Sequence, residues 1–122
     1  MKQKIRDWLT QQFGNDEALF AELYSQYEGD MKSGIETLQT AFKDGDIAAM
    51  AQKAHALKGI SLMIGDEDVS ALCLTLERAC KANDKPMIAD ALNLLVDAVK
   101  DLLGGGGMSS DSYGRNGGKD GI

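Results

Sequence analysis

Three observations predict an all-α fold: an antiparallel, up-down four-helix bundle with a short extra N-terminal helix. Apolar residues recur at steps of three and four through most of residues 1–103. Ala, Leu, Met, Lys, Glu and Asp dominate that stretch, and proline occurs once, at Pro86. Breaks rich in Gly, Asn and Asp divide the pattern into one short and four principal segments. The connections are short enough to make consecutive helices antiparallel neighbours.

The elements follow in order. Lys4 to Phe13 sets Ile5, Trp8, Leu9 and Phe13 on one stripe and reads as a short amphipathic helix ended by Gly14-Asn15. Asp16 is then the N-cap of the next segment, with Glu17 in its first turn. That segment runs to about Lys43 and carries Leu19, Phe20, Leu23, Tyr24, Tyr27, Met31, Ile35, Leu38 and Phe42 at helical spacing. Gly29-Asp30 and Gly34 interrupt it, so one long helix and two consecutive helices both fit. Asp44-Gly45-Asp46 breaks the chain again, and Asp46 caps a third helix from Ile47 to about Ile64. After Gly65, Asp66-Glu67-Asp68 supplies acidic residues for a fourth helix with Val69, Leu72, Cys73, Leu76, Ala79 and Cys80 at core spacing. Asn83-Asp84-Lys85-Pro86 is a stop followed by a start. The closing helix, Pro86 to Leu103, presents Ile88, Ala91, Leu92, Leu95, Val96, Val99, Leu102 and Leu103.

Residues 1–103 thus form the bundle, and residues 104–122, with eight glycines, are expected to be a flexible tail or linker. About a hundred folded residues suffice for one helical core, but not for a nucleotide-binding kinase domain beside it. The net charge of −6 and the lack of a Lys/Arg cluster argue against nucleic acid and anionic membranes. No apolar run approaches the roughly 20 residues of a membrane span, and Met1 to Trp8 has no signal-peptide character. A cytoplasmic location is the default expectation. Cys73 and Cys80, on one helix, would stand roughly 10 Å apart, too far for a disulfide, and read as buried core residues. One histidine and no Cys-x-x-Cys make a metal site an unpromising reading.

The third helix carries the informative residues. Its core positions are Ile47, Met50, Ala54, Leu57, Ser61 and Ile64. On a helical wheel His55 lies about 130° from their mean direction, off the core. Its wheel neighbours are Ala48, Gln52, Lys58, Gly59 and Leu62, with Met63 further round. Lys58, at i+3, reaches the same patch. Gly59, at i+4, costs roughly 1 kcal/mol against alanine in a helix interior. That cost points to a need for bare backbone beside His55, such as close approach by another macromolecule. Against this stands the bland reading that a surface histidine usually does nothing.

Ala54-His55-Ala56-Leu57-Lys58-Gly59, followed by Gly65, resembles the signature of histidine-containing phosphotransfer (HPt) domains, approximately A-H-x-L-K-G-x-x-x-x-x-G. The resemblance extends over roughly residues 10 to 103. It implies that His55 accepts a phosphoryl group from a receiver-domain phospho-aspartate and passes it to another receiver, as a carrier without kinase activity of its own. An imidazole in water is mostly neutral at pH 7 and keeps a lone pair for attack, and Nε2 is the attacking nitrogen in the family. Lys58 would neutralise phosphoryl charge. Gly59 would leave room for the receiver, Gln52 would hydrogen-bond the phosphoryl group or the partner, and Leu62 and Met63 would form an apolar docking rim. For Gln52 simple solvation, and for Leu62 and Met63 ordinary core packing, are the competing readings. The chain would need no cofactor, with Mg²⁺ confined to the partner receiver. Implied partners are response-regulator receivers and a hybrid histidine kinase, with the chain itself a monomer. Two departures stand out. Ile60-Ser61-Leu62-Met63 replaces positions often small and polar in the family. Glu77 falls where many members carry a polar residue, often Gln; an acidic side chain there should repel a phosphoryl group, which counts against it as a site residue.

Rival readings are a P1-type phosphoacceptor domain of a histidine kinase, itself HPt-like, and a non-catalytic helical adaptor whose histidine is incidental. The dimerising hairpin of a histidine kinase has two helices per chain, and the four-helix pattern argues against it.

Overall fold

The computed structural model describes residues 1–104 as five helices: α1 (Gln3–Phe13), α2 (Glu17–Asp44), α3 (Ile47–Met63), α4 (Glu67–Lys81) and α5 (Lys85–Leu103). The expected tail lies outside the described residues from position 105 on. Helices α2 to α5 close a ring, with α3 packed between α2 and α4, and α5 between α4 and α2. Two or three residues separate each from the next, so successive helices run antiparallel. Among the described residues no helix is long and apolar enough to cross a membrane.

The four starts share one chemistry. Asp16, Asp46, Asp66 and Asp84 each accept a hydrogen bond from the backbone N–H three residues on, at Leu19, Ala49, Val69 and Met87. Each satisfies a donor that the first helical turn leaves without an intrahelical partner. Of the two readings open for α2, one unbroken helix is observed. Its glycines cost propensity, and the burial of Met31, Ile35 and Leu38 offsets it. Gly34 also has a packing use: a Cβ there would come within 2.6 Å of the Leu57 side chain. Its absence lets α2 sit close against α3.

The core runs through all five helices and includes Met31, Leu38, Met50, Leu57, Leu76, Leu95 and Val99. Cys73 and Cys80 are free and buried. Two aromatics depart from their expected stripes. Phe13 is 50% exposed because it ends α1, where the chain turns away at Gly14. Phe42 is 44% exposed, in the last turn of α2 beside Ile47 and Lys85.

Helix α1 caps the end of the bundle where α3 turns into α4. It buries Ile5 and Leu9, and Trp8 packs on Gly65. Gly65 has φ +80°, and a Cβ there would lie 2.5 Å from the Trp8 Cβ, so glycine is required on both counts. The adjacent Asp66 is fully buried and well satisfied. It accepts from the Tyr27 hydroxyl at 2.7 Å, from Lys2 Nζ at 2.7 Å and from the Val69 N–H. Burial, then the bond to Asp66, pushes the Tyr27 phenol far above its ordinary pKa, so it remains a donor.

Candidate functional site

Helix α3 divides its residues as its apolar spacing requires. Met50, Ala54, Leu57, Ser61 and Ile64 are buried, and Ile47 partly so. Ser61, the polar member of that stripe, bonds back to the carbonyls of Leu57 and Lys58. His55 projects from the other side with its side chain 67% exposed. Ala48, Gln52, Ala56, Gly59, Leu62 and Met63 are exposed with it. Leu62 and Met63 are 51% and 76% exposed, which removes core packing as their explanation. A Cβ built on Gly59 meets nothing within 4 Å, so no neighbour inside the fold accounts for this glycine.

Glu77, on α4, changes the picture of the site. Its side chain is only 5% exposed, yet it carries a charge, and three side chains converge on it. His55 Nδ1 lies 3.0 Å from its Oε2, Lys58 Nζ 3.1 Å from Oε1, and Lys81 Nζ 3.0 Å from Oε2. Hydrogen bonds from Lys81 and Lys58 hold the Glu77 carboxyl down at about 2, against an ordinary 4.5 and against its burial. It is therefore ionised at neutral pH and can only accept hydrogen bonds. It follows that Nδ1 of neutral His55 carries the proton, and that the lone pair sits on Nε2.

The acid expected to repel a phosphoryl group does not stand alone, because two lysines meet it. One carboxylate and two ammonium groups sum to +1 beside the imidazole. Lys58 lies one turn from His55, and its ammonium donates to Glu77. The periodicity of α3 alone does not bring Lys81 to the site, and it leaves Glu77 as an isolated acid. A signal existed for both: Glu77 interrupts the α4 core stripe between Cys73 and Cys80, and a buried charge needs a partner, which Lys81 supplies at i+4.

The site and its scaffold agree with a known family. The family model described as "Hpt domain" matches residues 22–105, from the second turn of α2 past the end of α5. The chain belongs to the Hpt domain family. Phosphotransferase RcsD of Escherichia coli (strain K12) is 32% identical over 80 residues, which make up 66% of this chain and 9% of that protein. The chain thus spans a small part of that curated relative. Histidine-containing phosphotransfer protein B from Pseudomonas aeruginosa PAO1 has the same fold, with a TM-score of 0.72 at 18% identity over 84% of this chain and 86% of that one. The Escherichia coli YojN Hpt domain aligns with a TM-score of 0.65 at 25% identity over 84% and 80%. This Hpt chain is thereby a member of a family of phosphotransfer intermediates in two-component phosphorelays.

Proposed function

We propose that His55 is the phosphoryl-carrying residue of this domain, taking the group from a receiver phospho-aspartate and delivering it to a second receiver. One observation carries the reading: an imidazole two-thirds exposed, with Nδ1 engaged by Glu77 and Nε2 left open to a partner. In acceptance, the Nε2 lone pair attacks phosphorus and the P–O bond breaks. The electron pair returns to the aspartate oxygen. The ring requires orientation more than further functional groups, because transfer proceeds in line between attacking and leaving atoms. Glu77 supplies that orientation. The +1 cluster of Lys58, Lys81 and Glu77 sets net positive charge beside the ring, which favours an arriving phosphoryl group.

The partner surface is the exposed face of α3. Gly59 admits a close approach, and Leu62 and Met63 provide apolar contact beside the histidine. Methionine suits a surface that meets a donor and an acceptor in turn. Gln52 is exposed on the same face and is available to the partner or the phosphoryl group. Mg²⁺ belongs to the acidic pocket of the receiver, and the domain acts as a carrier.

Incubation with a ³²P-phosphorylated receiver domain tests the proposal. The expected result is acid-labile, base-stable label on the native protein and none on His55→Gln. Label that persists on His55→Gln, or no label on the native protein, would refute it.

A further inference from the structure

The two nitrogens that meet Glu77 Oε2 compete for one atom. His55 Nδ1 and Lys81 Nζ both lie 3.0 Å from it, while Lys58 takes Oε1. From this geometry, and resting on His55 as the phosphoryl carrier, we infer that Glu77 holds the Nδ1 proton on the ring throughout the phosphorylated state and that Lys81 weakens that hold. Glu77 and Lys81 are positioning residues that set how readily the phosphoryl group leaves.

The chemistry follows from proton bookkeeping. When Nε2 gains the phosphoryl group, the ring becomes an N-phosphoimidazolium with hydrogen still on Nδ1. In donation, a receiver carboxylate oxygen attacks phosphorus, the P–Nε2 bond breaks and its electron pair stays on Nε2. If Nδ1 has kept its proton, neutral imidazole departs. If Nδ1 has lost it, imidazolate must depart, which is a far poorer leaving group. An anion at hydrogen-bond distance favours the protonated ring. A second cation on the same oxygen opposes it. The charged groups facing the ring are Lys58 from its own helix, and Glu77 and Lys81 from α4. Cys80, beside Glu77, is buried, and burial and that carboxylate push its thiol up, so it adds no charge.

Chemical phosphorylation with phosphoramidate, followed by ³¹P NMR of phosphohistidine loss across pH, tests this without any receiver. A failed relay assay and a failed inference are therefore separable. In Glu77→Gln the pH midpoint of the loss should fall by about one unit, making the phosphohistidine about tenfold longer-lived above the midpoint. In Lys81→Met it should move the other way by less, about half a unit or threefold, because the Lys81 ammonium is largely solvated. If Glu77 merely tied α3 to α4, both substitutions would loosen the same contact and shift the lifetime in the same direction. Shifts of the same sign, superimposable profiles for Glu77→Gln and the native protein, or failure of phosphoramidate to label His55 would each overturn the inference.

Discussion

Gly59→Ala should make the protein more stable and less active, and the two effects have separate origins. The residue sits inside α3, four positions after His55, on an exposed face. An added Cβ meets nothing within 4 Å, so the folded domain accepts alanine without strain. The substitution then gains the helix-propensity difference, about 0.8–1.0 kcal/mol. For a domain of this size that raises Tm by about 4–8 °C. In the complex the same methyl projects from the surface that must approach the receiver. Overfilling a close-packed contact costs about 1–3 kcal/mol, and at the transition state this is about a fivefold to hundredfold loss of rate. Thermal unfolding followed by circular dichroism, paired with single-turnover transfer from a phosphorylated receiver, measures both effects. An unchanged or lowered Tm would refute the reading of Gly59 as sterically free. An unchanged transfer rate would show that the receiver does not approach the α3 backbone at this point.

The other motif glycine should behave in the opposite way. Gly65→Ala forces φ +80° on an L-residue and drives a methyl into Trp8, so a loss of about 2–4 kcal/mol is expected in urea unfolding, with transfer per folded molecule preserved; an unchanged midpoint would refute it. Glu77 should leave a signature in acid. Its folded-state pKa of about 2 lies below the ordinary 4.5, so its ionised form stabilises the fold fully above about pH 4.5, and the contribution fades as pH falls toward 2. The stability gap between the native protein and Glu77→Gln should close as pH falls from about 4.5 toward 2; a gap that persists undiminished at pH 2 would contradict the paired carboxylate.

Much of this molecule was legible from one dimension. The apolar steps of three and four, the aspartates at four helix starts and the short connections specified the bundle, because each acts within a turn or two of chain. The off-core angle of His55 was equally local, being fixed by 100° per residue within one helix. Lys58 and Gly59 fell beside it for the same reason. Tertiary structure decided the rest. Whether α2 breaks at its glycines depended on a buried stripe outweighing two propensity costs, and Gly34 acquired its purpose only when Leu57 arrived from another helix. The two motif glycines look alike in sequence, yet one answers to Trp8 on α1 and the other to nothing inside the fold. The setting of Glu77 was illegible for the same physical reason: the sign of a site's field is a sum over charges brought together in space. An acid 22 positions from His55 reveals its two lysines, and its grip on Nδ1, only after α3 and α4 have packed.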